Sequence, residues 1–90
     1  MFGLLLSIST AFGQTRINGI VVSQDDGQGV IGASVMVQGT TTGTVTDIDG
    51  KFSLDVPAGK KLVVSYIGMT TQTVTPKDGM KVTLTNDNHQ

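Results

Sequence analysis

The sequence contains no cysteine and no glutamate, and its single histidine, His89, is next to its last residue. Without cysteine, the chain can form neither a disulfide scaffold nor a zinc ribbon. Residues that favour helices are scarce, whereas glycine, threonine and valine are abundant, as is typical of strands. No apolar run reaches the roughly 20 residues of a membrane-spanning helix. These absences predict a small all-β domain that does not itself span a membrane.

Charged residues are few, and the formal net charge is only -1. The basic residues are scattered from Arg16 to Lys81 and form no stripe that could neutralise a run of phosphates. Nucleic acid is therefore excluded as an expected partner.

The first thirteen residues have the pattern of an export signal. The apolar run Phe2–Ile8 is followed by Ala11-Phe12-Gly13, a small-residue pattern that predicts cleavage before Gln14. No lysine or arginine precedes Arg16, so the usual basic segment is missing, and we expect the true start to lie upstream. The alternative is that this run forms a buried N-terminal strand. We expect an exported protein.

From Arg16 onward, apolar residues recur with period two in short runs, and the turn clusters between these runs are about 8 to 12 residues apart. We predict a domain over residues 14–85, with a polar tail at 86–90. A third strand is expected at Thr44–Thr46, followed by a tight hairpin at Asp47–Gly50. The buried sets are predicted to be Ile17, Gly19 and Val21; Ile31, Ala33, Val35 and Val37; Phe52, Leu54 and Val56; and Met80, Val82 and Leu84.

Two further segments complete the predicted fold. The continuous apolar run Leu62–Ile67 indicates a central strand covered on both faces. The threonine-rich Met69–Thr75 is expected at an edge, where a partner could add a strand to the sheet. About seven short antiparallel strands correspond to a Greek-key β-sandwich of immunoglobulin-like or transthyretin-like (prealbumin-like) kind.

No set of residues has the pattern of a catalytic site. Nucleophilic catalysis needs a base oriented by a third group, and His89 lies in the polar tail. Most aspartates lie in turns, where their ordinary role is to accept hydrogen bonds from backbone amides. We predict no catalytic residue, no cofactor and no enzymatic activity. A transthyretin-like hydrolase is the weakest alternative, because it would require histidines and basic residues converging on a cleft.

Calcium and carbohydrate are the ligands to consider for an exported β-sandwich. Asp47-Ile48-Asp49-Gly50 has a superficial likeness to a calcium loop, but the further oxygen ligands and the closing glutamate are missing. Asp47 and Asp49 are therefore weak metal candidates, and a turn is the preferred interpretation. Sugar binding usually needs exposed aromatic rings, whereas Phe52 and Tyr66 are in phase with buried positions and are predicted to be core residues.

Two segments closely resemble the carboxypeptidase regulatory-like domain found at the N-terminus of SusC/RagA-type TonB-linked outer-membrane transporters. They are Gly32–Pro57 (GASVMVQGTTTGTVTDIDGKFSLDVP) and Lys61–Met69 (KLVVSYIGM). The resemblance covers nearly all of the chain after residue 13, and it implies structural roles without catalytic residues. The motif positions are Gly19, Gly32, Gly39, Thr40, Thr41, Gly43, Thr46, Asp47, Gly50, Phe52, Tyr66 and Gly68.

The resemblance implies a domain on the periplasmic face of the Gram-negative outer membrane. There it would precede a TonB-contacting segment, a plug and a barrel that imports glycans or peptides with a SusD-like surface lipoprotein. Gln90 lies about where that family continues into the TonB box and plug, so we expect either the appended module of a receptor or a fragment of one, with transport itself residing elsewhere. The alternative is a structural or adhesive module of another cell-envelope protein, because a fold does not fix a function.

Overall fold

The computed structural model describes residues 14–86, which form seven strands and no helix. In this part of the chain there is accordingly no helix that could cross a membrane. The predicted export signal and His89 lie outside the described residues. The strands are β1 (Gln14–Ser23), β2 (Ser34–Val37), β3 (Gly43–Val45), β4 (Lys51–Pro57), β5 (Leu62–Ser65), β6 (Gln72–Val74) and β7 (Met80–Leu84).

The strands form two sheets, with the orders β4-β1-β7 and β3-β2-β5-β6, which confirms the predicted all-β sandwich. In the first sheet β1 is central and pairs antiparallel with β4. It pairs parallel with β7, so the expectation of antiparallel strands throughout is wrong for this pair. The reason is that the chain after β6 lies beside the start of β1, where Thr75 and Pro76 line one groove with Thr15 and Ile17. The following loop crosses to the first sheet there, so β7 runs in the same direction as β1.

Alternating side chains from both sheets fill the interior. In β4, Phe52, Leu54 and Val56 are buried while Lys51, Ser53 and Asp55 are exposed, as predicted from period two. Burial of each large apolar side chain contributes roughly 1.5–3 kcal/mol. The core consists of Ile17, Val21, Val30, Ala33, Val35, Val37, Phe52, Leu54, Val56, Leu62, Val64, Val82 and Leu84.

The strand directions place the two termini of the described chain at opposite ends of the sandwich. β1 begins with Gln14 opposite Pro57 and ends with Ser23 opposite Leu84. Asn86, the one described residue of the expected tail, pairs with Met69 beyond the end of β7. We call the end at Gln14 and Pro57 the entry end, and the end at Ser23 and Leu84 the exit end. The ten residues of β1 span about 30 Å between them.

Ile31 is exposed, contrary to the prediction that it belongs to the buried set of the second strand. The chain turns at Gly32, whose φ is 79°, so the alternation of β2 is in phase only from Ala33 onward. Val30 is buried in place of Ile31. A positive φ at glycine therefore shifted the phase that the sequence pattern had suggested.

The turn at Asp47–Gly50 forms as predicted, but it is not a hairpin. It joins β3, at the edge of the second sheet, to β4, at the edge of the first. β4 pairs along its full length with β1, whereas β3 has only three residues. The long ladder with β1 stabilises β4 more than pairing with β3 could.

β5 ends at Ser65, so the predicted strand Leu62–Ile67 is too long. The amide of Met69 donates to the carbonyl of Tyr66 at 3.0 Å, which closes a turn in which Gly68 has a φ of 78°. β5 lies between β2 and β6, as a central strand should, but only one of its faces is buried. Ile67 is 87% exposed and Tyr66 is 36% exposed, so neither is a core residue. β6 is an edge strand, as predicted.

Candidate functional site

Thr46 is a buried polar residue beside the core and joins two segments that are distant in sequence. Its hydroxyl accepts a hydrogen bond from the Ala33 amide at 2.8 Å and donates to the Val30 carbonyl. Its own amide donates to the Ala33 carbonyl at 2.9 Å, and its carbonyl accepts from the Gly32 amide at 3.1 Å. All of these bonds hold the turn before β2 against the end of β3. Thr46 is therefore a structural residue.

Asp47 organises the turn between the two sheets. Its Oδ1 accepts hydrogen bonds from the amides of Asp49 and Lys51, both at 2.9 Å. These bonds lower the pKa of the Asp47 carboxyl below its ordinary value, because they favour the charged form. The bond from the Lys51 amide has the largest effect. Among residues 14–86 no three histidine, cysteine, aspartate or glutamate side chains are grouped as a metal site. The geometry of Asp47 is that of a turn.

Gly50 lets this turn approach the neighbouring segments closely. Its φ is 81°, and a Cβ at this position would lie 2.6 Å from the carbonyl oxygen of Val21 and 2.7 Å from the Cα of Gly29. The Val21 amide donates to the Gly50 carbonyl at 2.7 Å. No side chain fits in this space, so the backbone itself makes the contact.

The motif segment 39–43 is also a closed turn. The hydroxyl of Thr40 donates to the Val37 carbonyl at 2.9 Å and accepts from the Thr42 amide at 3.0 Å, while Thr41 is exposed. Gly39 has a φ of 80°. Gly43 lies in β3 directly against Met36, where a Cβ would collide with the methionine side chain. None of these groups is directed at a common point where a ligand could bind.

Gly19 and Phe52 form a matched pair in the first sheet. They are opposite each other in the β1–β4 register, and a Cβ on Gly19 would lie 2.6 Å from Cζ of Phe52. The ring of Phe52 thus occupies the space that a side chain at position 19 would fill. Phe52 is a core residue, as predicted, whereas Gly19 is only half-buried and leaves room for the ring.

The outer face of the first sheet is polar and charged. Arg16 lies opposite Asp55, and its Nε is 3.1 Å from Oδ1 of that residue. Lys51 and Lys81 flank Ile20 on the same face. Such exposed ion pairs contribute at most about 1 kcal/mol, and the face as a whole is a solvated surface.

The outer face of the second sheet differs, because the strand residues that form it carry no ionisable group. The register places two rows of residues on this face, one through Ser34 and one through Met36. Lys61 lies just before β5 at the entry end, where its Nζ donates to Thr75. The residues of the two rows are Val45, Ser34 and Ser65, then Gly43, Met36, Val63 and Thr73.

The exit end of this sheet collects the large apolar side chains that are exposed in residues 14–86. Val45 ends β3, and the others lie in the turns before β2, after β3 and after β5. We call these five residues the exit patch: Ile31, Val45, Ile48, Tyr66 and Ile67.

The entry end carries a shallow groove of about 340 Å³ instead. The residues that line it include the apolar Ile17, Val56 and Pro57 and the basic Lys60 and Lys61. The groove reaches the size of small-molecule sites, but it contains no acid, histidine or aromatic side chain that could orient a ligand.

A family model described as the CarboxypepD_reg-like domain matches residues 17–89, well over half of the chain. The chain belongs to this family. The family predicted by the resemblance is thereby confirmed, and the match includes β2 to β7 and all of β1 after its first three residues. In this CarboxypepD_reg-like domain most of the motif residues hold turns or fill the core, whereas Thr41 and Tyr66 are exposed.

The curated relatives of this CarboxypepD_reg-like domain include TonB-dependent receptors. TonB-dependent receptor SusC of Bacteroides thetaiotaomicron is 45% identical over 85 residues, which is 94% of this chain. TonB-dependent receptors P39 and P3 of Formosa agariphila are 41% identical over 80% of the chain and 32% identical over 82% of it. The chain spans only 7 to 8% of the length of these three relatives.

Sequence reasoning predicted that Asp78 is a turn residue that binds backbone amides, but it missed two features of this CarboxypepD_reg-like domain. The first is the partner of Asp78, whose Oδ1 accepts hydrogen bonds from the Asn18 amide at 2.9 Å and from Asn18 Nδ2 at 3.1 Å. These bonds lower the pKa of the Asp78 carboxyl, and the Asp78-Gly79 dipeptide was the turn signal that the sequence offered. The second is the exit patch, which had no signal in any single segment because four separate segments contribute to it.

Proposed function

We propose that this chain is a non-enzymatic, periplasmic accessory domain of a SusC-like, TonB-dependent outer-membrane receptor that imports glycans or peptides. The observation that carries the proposal is the 45% identity to TonB-dependent receptor SusC over 94% of the chain. The partners would be the plug and barrel of the same receptor, the TonB complex and a SusD-like lipoprotein.

The roles of the motif residues support a function without catalysis. Thr46 and Asp47 use their side-chain oxygens on backbone amides of the domain itself. Within residues 14–86, every buried side-chain nitrogen or oxygen already has a hydrogen-bond partner in the domain, so none of them is left for a substrate. The domain would therefore act through its surface and its shape.

The path of the chain supports a role as a connector. Because β1 and β7 are parallel, the described chain enters the sandwich at one end and leaves at the other, about 30 Å away. A domain inserted in this way sets the distance between the polypeptide segments on its N-terminal and C-terminal sides. In a receptor it would hold the N-terminal region away from the plug and give the energising complex a rigid surface.

The test is an in-frame deletion of residues 14–86 from the full receptor, with uptake, substrate binding and receptor abundance measured in the same cells. We expect TonB-dependent uptake to fall while binding and abundance are retained. A control receptor carries in place of the domain a Gly/Ser linker of about 30 residues, whose mean span is also about 30 Å. Recovery of uptake with the linker would indicate a pure spacer. Unchanged uptake and abundance after deletion would refute the accessory role.

A structural or adhesive module of another envelope protein is the second candidate, because an in-line sandwich also suits a stalk. The relatives named above are all TonB-dependent receptors, which favours the first proposal. The coding sequence after codon 90 discriminates between the two. A plug and barrel there would support the receptor, and a series of further sandwich domains would support the stalk.

A further inference from the structure

We propose that the exit patch is a docking site for the apolar surface of the receptor polypeptide on the C-terminal side of this domain. The inference rests on the proposed function and adds to it the surface and the occupant. It requires that the patch be unusually apolar, that its surroundings be suited to burial, and that the downstream chain be the partner nearest to it.

The first requirement is met by exposure. Ile67 is 87% exposed, Ile48 is 75% exposed and Val45 is 62% exposed. Single apolar residues scattered over a surface are normal, but here all the exposed large apolar residues within 14–86 lie at one end of one sheet. Such a concentration is typical of a surface that is covered in the assembled protein.

The second requirement is met on the sheet side of the patch, whereas Asp47 and Asp49, which flank Ile48, are exposed carboxylates and would form its charged rim. The strand residues on the outer face of the second sheet are uncharged, and the half-buried Met36 and Val63 extend the apolar surface from Val45. The cores of protein interfaces are depleted of charge and enriched in methionine and aromatic residues. The outer face of the first sheet, with Arg16 and Lys81, has the opposite character.

The third requirement concerns the occupant. Asn86 pairs with Met69, and the Thr70 amide donates to the Thr85 carbonyl at 2.9 Å, so the chain leaves the sandwich beside the turn that carries Tyr66 and Ile67. Any polypeptide that follows this domain would therefore be tethered beside Tyr66 and Ile67, at an effective concentration of about millimolar or higher. In SusC the matched region is only 8% of the protein, so the remainder is large enough to cover the patch. A second copy of the domain has no such tether.

The experiment uses the full-length receptor in lipid nanodiscs, which avoids covering the patch with detergent. Ile67→Cys and Val45→Cys place a thiol in the patch, and Thr83→Cys places one on the exposed outer face of the first sheet as the matched control. This domain contributes no cysteine of its own. The rate of maleimide labelling of each variant is divided by its rate in denaturant.

If the patch is docked nine-tenths of the time, labelling at positions 67 and 45 is slower than at position 83 by about tenfold. Equal rates at the three positions would overturn the proposal. Protection that grows with receptor concentration would also overturn it, because the occupant would then be a second copy. The outcome is independent of the deletion experiment: protection with unimpaired uptake would keep the docking and reject the accessory role, whereas equal labelling with lost uptake would do the reverse.

Discussion

Replacement of Thr46 by valine tests whether the domain depends on one buried hydroxyl. Valine has nearly the same shape, is apolar and favours strands, so hydrophobicity alone predicts a neutral or stabilising change. The structure predicts the opposite. The hydroxyl is the hydrogen-bond partner of both the Ala33 amide and the Val30 carbonyl, and Thr46→Val leaves both of these buried groups without it.

The expected loss is worked out from these two groups. A buried polar group left without a partner costs about 1–3 kcal/mol, so the two together, reduced by the added methyl group, give about 2–4 kcal/mol. A domain of this size has a total stability of only about 5–10 kcal/mol. At roughly 4–8 °C for each kcal/mol, the melting temperature should fall by about 8–32 °C. Thr46→Ser keeps the hydroxyl and loses one methyl group, which should cost only about 1 kcal/mol.

The measurement is thermal and urea unfolding of the 90-residue chain, followed by circular dichroism because the chain has no tryptophan. The order of stability should be the parent, then Thr46→Ser, then Thr46→Val. If Thr46→Val were as stable as the parent, or more stable than Thr46→Ser, the role assigned to the hydroxyl would be wrong.

Three further predictions concern the turns and the core. Gly19→Ala should lower stability by about 1–3 kcal/mol in the same unfolding assay, because the added Cβ would collide with the Phe52 ring and with Cγ of Met80. Gly19→Ala should cost less in a Phe52→Leu background than in the parent, because the ring is then absent. Gly50→Ala should destabilise more than Gly59→Ala: both glycines have a φ of 81°, but only at Gly50 does a Cβ meet backbone atoms. Equal losses at the two positions would contradict the close approach. The hydrogen bonds to Asp47 lower the pKa of its carboxyl in the folded state, so its stabilising effect is complete above about pH 4 and disappears as the pH falls through the folded pKa. Between about pH 7 and pH 3 the melting temperature of Asp47→Asn should therefore fall by less than that of the parent. If the two pH profiles were the same, this role of Asp47 would be excluded.

Local patterns in the sequence were sufficient to predict the parts of the fold that depend on neighbouring residues. The alternation in β4 and the turn role of Asp47 were both visible, because period two and an Asp-x-Asp-Gly turn are properties of a short segment. The partner of each strand is not a local property. The sequence therefore did not show that the turn at Asp47–Gly50 crosses between sheets, or that β1 and β7 run parallel.

The candidate surface was less predictable for the same reason. Ile31 and Tyr66 have the composition of core residues, and their exposure depends on turns at Gly32 and Gly68 that end the alternation. Once they are exposed, their proximity to Val45 depends on the register of β2 with β3 and β5. A pattern read along one segment contains no information about such a surface.

The motif residues that identify the family are largely different from the exposed residues that we propose for docking. This difference can be tested with one substitution in each set. Thr46, Asp47 and Gly50 act on the backbone of the domain, so they determine whether it folds. Ile67 is almost fully exposed, and Ile67→Asp should change the melting temperature of the domain by no more than about 2–4 °C. In the full receptor the same change would place a charge in the docked interface, and TonB-dependent uptake should fall while receptor abundance remains normal. Thr83→Asp, which adds the same charge on the other sheet, is the control and should leave both unchanged. If the two aspartate variants support equal uptake, the exit patch has no part in transport, and the contribution of the domain must come from its length or from another face.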